Sequence, residues 1–207
     1  MTSHPLTAMP RVSEETKQAT RARLLAAAAE EFGRVGLDRA NVDAISLAAG
    51  FAKGTMYNYF PSKEELFVAV VEEAVAQAAA RSSAPAELPA WERLAATLAG
   101  FCAWAREHDA FARVLVRECL MGTPGLYRRV MMAETPFITE VEAILRQGIA
   151  RGELRDDVPA DLLALAIIGL TDLALVKHWA SDGSSPSLEA IPELVLTMLL
   201  GPRAPSQ

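Results

Sequence analysis

The chain has little cysteine and little histidine, and that scarcity excludes several classes. Its two cysteines, Cys102 and Cys119, stand seventeen positions apart without CxxC spacing. They form neither a disulfide framework nor a zinc site. His108 and His178 have no partners at ligand spacing, so no metal is expected. No cofactor is expected either. The two thiols are read as buried and inert rather than as a redox sensor. The longest apolar run, Leu162 to Val176, is interrupted by Asp172 and is too short to span a bilayer. No cationic stretch leads into an apolar run near the start, so no signal peptide is expected. A soluble, cytoplasmic protein without a membrane partner follows as the expectation. No GxSxG, P-loop, HExxH or glycine-rich dinucleotide loop is found, and no enzyme is expected. No strand, repeat or low-complexity tract emerges from the pattern.

What is present suits a helical protein with a sizeable core, since 51% of the residues are hydrophobic. The net charge of −6 argues against a surface that coats nucleic acid throughout. The charge is uneven, however. Residues 1–63 hold eight Lys and Arg against six acidic residues. A mildly basic head on an acidic body keeps any phosphate-binding surface local.

Residues 1–12 read as a loose arm. Ser13 is a candidate N-cap, with Glu14 and Glu15 in the first turn, where the helix dipole favours acids. Leu24, Leu25, Ala28 and Phe32 recur at helical spacing, and Gly33 to Gly36 is expected to end this helix. Asn41 can cap a short second helix with Val42, Ile45 and Ala49 inward. A third short helix is expected over about Lys53 to Tyr59. After Pro61, Ser62-Lys63-Glu64-Glu65 forms a capping box that opens a long helix. Further helical stripes follow a loop at 82–90, with Pro136 expected to kink one of them. The fold is all-α, with about nine helices: a head at 13–78, a larger body at 79–201 and a tail at 202–207.

The segment from Asn41 to Phe60 carries the chemistry. Two short helices joined across Gly50 make a helix-turn-helix layout. Beyond the turn, Lys53, Thr55, Tyr57, Asn58 and Tyr59 crowd polar and aromatic groups into seven positions. Such residues suit a helix presented to a major groove, some reaching base edges and others phosphates. Gly54 lets the backbone approach DNA closely.

The string Ala-Ala-Gly-x-x-Lys-Gly-Thr-x-Tyr-x-Tyr-Phe-x-Ser-Lys-Glu-x-Leu from Ala48 resembles the signature of the TetR/AcrR family of regulators. Leu24-Leu25-Ala-Ala-Ala-Ala-Glu-Glu-Phe32-x-x-x-Gly36 is similar to that family's first helix. The resemblance covers about residues 16–75. It implies a three-helix DNA-binding head, with phosphate contacts from Thr55, Tyr57, Tyr59 and Lys63. It implies base or nearby backbone contacts from Lys53, Met56 and Asn58, with Phe60 in the core. Three departures stand out. Asn41 replaces a frequent Thr but can still cap and still donate to phosphate. Phe51-Ala52 replaces Val-Ser, so the usual Ser cap of the recognition helix is missing. Ser46 replaces a common Ala.

In the body, Leu162, Ala166, Gly169 and Leu173 on one helix and Ile191, Leu194, Val195 and Met198 on the last are expected to form a four-helix homodimer interface. Candidate pocket residues are Phe101, Trp104, Phe111, Leu115, Met121, Met131, Met132 and Phe137, apolar walls that suit a hydrophobic effector. Asp172 is the oddity in an apolar helix. It could bind a cationic or hydroxylated ligand group, but is read as pairing with an arginine or edging into solvent. The expected function is a ligand-responsive repressor that binds a palindromic double-stranded operator and is released by a small-molecule effector. The alternative is a helical small-molecule-binding or interaction protein without specific DNA binding.

Overall fold

The computed structural model describes residues 14–81, 84–183 and 185–201. The expected arm, the Ser13 cap and the tail from residue 202 lie outside the described residues. Among the described residues there are eight α-helices, one 3₁₀ turn and no strand. Helix α1 spans Glu14–Arg39, α2 Val42–Ala48, and the 3₁₀ turn Thr55–Asn58. Helix α3 Lys63–Arg81 follows, then α4 Ala90–Glu107, α5 Asp109–Met121, α6 Pro124–Ala150, α7 Ala160–Ala180 and α8 Ile191–Leu200. None of the described helices is long and apolar enough to cross a membrane.

Helix α1 buries Leu24, Leu25, Ala28 and Phe32, the stripe read from the sequence. It does not stop at Gly33. That residue stays helical and lets α1 lie directly on α5, where an added Cβ would come within 2.9 Å of the Ala110 Cβ and the Phe111 backbone nitrogen. The helical path breaks only at Gly36, whose φ of 80° is open to glycine and strained for other residues. Helix α3 opens with half of the expected capping box. The Glu65 N–H donates to the Ser62 hydroxyl at 3.1 Å. The Glu65 carboxylate does not return to Ser62 but pairs with Arg129 of α6 at 2.7 Å.

Head and body share one core. The Phe32 ring meets Phe67 edge-on at 5.2 Å, and Phe67 meets Phe111 at 5.7 Å, so α1, α3 and α5 are joined through three rings. Helix α6 begins at Pro124, a position where a missing N–H costs nothing, and runs on through Pro136 to Ala150. Residues 188–190 form a turn, and α8 begins at Ile191.

The Gly33 contact generates a stability test. Gly33→Ala gains up to about 1 kcal/mol of helix propensity. It also forces α1 away from α5, because one of the crowding atoms belongs to the α5 backbone and cannot swing aside. Overpacking of this kind costs about 1–3 kcal/mol. The expected result is a lower urea midpoint at unchanged slope; a raised midpoint would mean that the two helices separate freely.

Candidate nucleic-acid interface and ligand chamber

The head's polar surface is built around two helix starts. The Asn41 side-chain oxygen accepts from the N–H groups of Asp43 at 2.9 Å and Ala44 at 3.2 Å, which caps α2. Helix α2 ends in a turn through Gly50 at φ 80°. The Phe51 N–H returns to the Ser46 carbonyl at 2.9 Å, and the Arg23 guanidinium lies 4.6 Å over the Phe51 ring.

The segment expected as a helix over Lys53 to Tyr59 is instead a single 3₁₀ turn. No side chain caps it, and Gly54 precedes it at φ 76°. The missing Ser at position 52 is answered from another element. The buried Ser46 hydroxyl accepts from the Met56 N–H at 3.2 Å, filling the role that an N-cap oxygen would fill. The departures at positions 46 and 52 are thus linked through one hydrogen bond.

Within this turn Lys53, Tyr57 and Asn58 are exposed, while Gly54, Thr55 and Tyr59 are half-buried. Phe60 is buried, as expected. Met56 corrects the reading. Its side chain is fully buried under the turn and cannot reach a base edge from there. A 3₁₀ turn repeats every three residues, so one of its four positions faces the core, and here that position is Met56. Lys63 is not a free cation either. Its Nζ donates to the Asp38 carbonyl at 2.8 Å and the Ala40 carbonyl at 3.5 Å, clamping the end of α1. Asn41, Tyr57 and Lys63 nevertheless line one shallow surface hollow together with Arg39. Sequence reasoning passed over Arg39; the available signal was a cation two residues before the capping Asn41.

In the body, Phe101, Trp104, Leu115, Phe137 and Asp172 do come together around one chamber among α3, α4, α5, α6 and α7. The chamber is nearly closed, with about 20 Å³ of free space, room for roughly one water. Phe111 faces a neighbouring open cleft between α1 and α3, and Ala74 and Trp104 belong to both walls. Three expected pocket residues are corrected. Met121, at the end of α5, is 84% exposed, and Met131 is half-buried away from the chamber. Met132 is exposed as well.

Glu134 was missed. It lies in the chamber wall, and its signal was helical spacing with the buried Val130, Phe137 and Val141. Asp172 also departs from expectation. It is buried, contacts no arginine and does not edge into solvent. It shares the inward face of α7 with Leu175 and the chamber-lining Ile168. Burial raises the Asp172 carboxyl to about 8, with Glu134 adding to the rise. Burial raises Glu134 to about 7, offset in part by the Cys119 thiol, which donates to its carboxylate at 3.3 Å. Burial pushes the Cys102 thiol up to about 12 and the Cys119 thiol higher still, so neither is a ready thiolate. Trp104 stacks between Phe101 and His108, and its indole N–H has no hydrogen-bond partner among the described residues.

On α7, Leu162, Leu165, Ala166 and Leu173 are exposed and Gly169 half-buried, and Leu194 and Met198 of α8 are exposed beside them. Ile191 and Val195 are corrected: both are fully buried. They lie on the inward side of α8, which packs on α4 and α7.

Comparison with known proteins bears on both parts. Residues 24–70 match the sequence model of bacterial regulatory proteins, tetR family, and residues 87–201 that of the tetracyclin repressor-like C-terminal domain. The HTH-type transcriptional repressor AcnR of Corynebacterium diphtheriae is 27% identical, over 90% of this chain and 95% of its own length. An HTH-type transcriptional repressor of Streptomyces coelicolor is 30% identical, over 77% of this chain and 80% of its own. The crystal structure of the transcriptional regulator FadR from Bacillus subtilis in complex with stearoyl-CoA superposes with a TM-score of 0.78 at 24% identity, covering 87% of this chain and 98% of that one.

The buried acids impose a pH dependence. In the unfolded chain Asp172 and Glu134 titrate near 3.8 and 4.5, while in the native protein they hold their protons to about 8 and 7. Between about pH 4 and pH 8 the native state therefore binds more protons, and stability falls as pH rises. Urea midpoints of the ligand-free protein are expected to decline from pH 5 to pH 8, with a flatter profile in Asp172→Asn. A midpoint that climbs across that window would mean that the acids are solvated or paired.

Proposed function

Because the chain belongs to the TetR family of bacterial transcriptional regulators, we propose that it is a ligand-responsive repressor. It binds a partly palindromic operator as a homodimer and releases it when a small, largely apolar effector enters the body. The observation that carries this reading is the surface hollow that gathers Arg39, Asn41, Tyr57 and Lys63, with Asp43 as its one acid, beside the exposed Lys53 and Asn58. Cations, an amide and a phenol suit phosphate oxygens, and exposed polar groups next to them suit base edges. Lys63 contributes its charge from a fixed position, because its ammonium already holds the end of α1.

A dimer would set two such heads in successive major grooves, about 34–36 Å apart. The exposed apolar face of α7 and α8 supports the pairing, since it runs along both helices and nothing among the described residues covers it. Effector control requires that the two head separations bind the ligand differently. The Glu65–Arg129 pair and the Phe32–Phe67–Phe111 rings tie the head to helices that border the chamber, which supports such coupling. Members of the family are regulators, and the body here is read as a sensor, not an enzyme.

Fluorescence anisotropy with DNA from upstream of the protein's own gene, against scrambled DNA over a salt series, tests the reading. Binding that prefers the native sequence and weakens steeply with salt is expected. Tyr57→Ala, at a side chain 57% exposed, is expected to weaken it about tenfold or more without moving the urea midpoint. Equal binding of both DNAs, unchanged by Tyr57→Ala, would favour the rival, a helical binding protein that does not read DNA.

The pairing has its own test. Leu165→Glu and Leu173→Glu place charge in the exposed α7 face and are expected to give monomers by sedimentation and to lose operator binding. A variant that stays dimeric would put the interface elsewhere.

A further inference from the structure

We propose that the chamber takes an effector with an apolar stem and a cationic amine end, the amine held by Asp172 and Glu134; this rests on reading the body as the effector-binding part. The two titratable residues of the chamber wall are both acids, and no Lys, Arg or His lines it. The nearby charges are already engaged. Arg129, earlier on α6, pairs with Glu65, and Arg117 of α5 pairs with Glu118. His108 lies behind Trp104, its Nδ1 3.0 Å from the Trp104 carbonyl. The Thr171 hydroxyl donates to the Ile167 carbonyl at 2.7 Å, so it offers the chamber only an acceptor.

A further observation points to a missing occupant. Asp172 is 8% exposed, lines the chamber and has no hydrogen-bond partner among the described residues. Buried polar groups without partners are few in native proteins. An alkylammonium supplies what is lacking: N–H donors and a positive charge for two carboxylates. It would also sit beside the faces of Phe101, Trp104 and Phe137, and aromatic faces attract cations. An anionic end would meet two acids and no cation.

The chemistry has a proton balance. In the empty chamber burial keeps the Asp172 carboxyl largely protonated at neutral pH and leaves Glu134, raised to about 7, partly protonated. A bound ammonium favours their ionised forms, and each proton lost goes to solvent. Entry requires the wall to yield, since only about 20 Å³ is free. Trp104 and Ala74 separate the chamber from an open cleft of about 430 Å³, so a rotation of the Trp104 ring would join the two spaces.

The test uses the full chain and three probes of equal stem length below their micellar concentrations: dodecylamine, dodecanol and dodecanoate. Isothermal titration at pH 7.5 is expected to show dodecylamine binding at least about tenfold more tightly than either other probe. Titration in buffers of different ionisation enthalpy is expected to show proton release with the amine and none with the alcohol. Asp172→Asn and Glu134→Gln are expected to lose the preference while keeping the dodecanol affinity. A preference that survives both variants would come from the acidic surface and would overturn the proposal. So would dodecanoate binding as tightly as the amine, or failure of the amine to bind. Should a variant not fold, proton release by the wild-type chain decides. Operator binding measured on the same preparation separates the two readings. Sequence-preferring DNA binding with a dodecanoate preference keeps the regulator and removes the amine; an amine preference without DNA binding does the reverse.

Discussion

The rest of the structure depends on a continuous run of aromatic contacts that joins α1, α3, α5, α4 and α6. Phe32 of α1 meets Phe67 of α3, Phe67 meets Phe111 of α5, and Phe111 meets Trp104 of α4 edge-on at 6.4 Å. Trp104 stacks on Phe101 at 5.9 Å, and Phe101 touches Phe137 of α6 at 5.8 Å. The run starts under the DNA-reading head and ends in the chamber wall. Cores are close-packed, so a ring displaced at one end moves its neighbours rather than filling a void. Gly33 serves the same end, because only a residue without a side chain lets α1 lie close enough to α5 for these rings to meet.

How much of this was legible in the sequence depends on how local each cause is. The α2 cap at Asn41, the turn at Gly50 and the Ser62 start of α3 were legible, because each depends on a few neighbouring residues. The recognition segment was not. Its start is held by Ser46, ten residues earlier, and a helix expectation built on the residues after Gly50 has no access to that bond. The error over Met56 follows directly: a 3.6-residue period and a 3-residue period send different positions inward. Asn41, Tyr57 and Lys63 line one surface hollow; Asn41 and Lys63 sit at helix starts, where the period matters less.

The body was legible as helices and poorly legible as faces. Helix α7 is apolar nearly all round, so its sequence gives no polar side from which direction can be read. The structure divides it. Leu163, Ile167 and Leu175 face the core, while Leu162, Leu165 and Leu173 face out. The same division sends Ile191 and Val195 of α8 inward and leaves Leu194 and Met198 outward. A helix that completes one chain's core has no need of a second apolar face. On the reading proposed above, that face is explained by a second copy of the chain.

Direction on α7 also decides what Asp172 does. A carboxyl one position earlier or later in the helix would turn toward a different neighbour; at 172 it looks into the chamber beside Glu134. Searching for a pocket by apolar residue type passes over an acid such as Glu134, whereas Asp172 stands out because its helix is apolar nearly all round. Yet burying a polar group without a partner destabilises a protein, and replacing buried ionisable groups with apolar ones is often neutral or stabilising. Glu134 accepts from the Cys119 thiol, whereas Asp172 has no such partner among the described residues, so its burial weakens the empty protein. On the proposal above, an occupant of complementary chemistry offsets that cost, at the far end of the aromatic run that leads to the head.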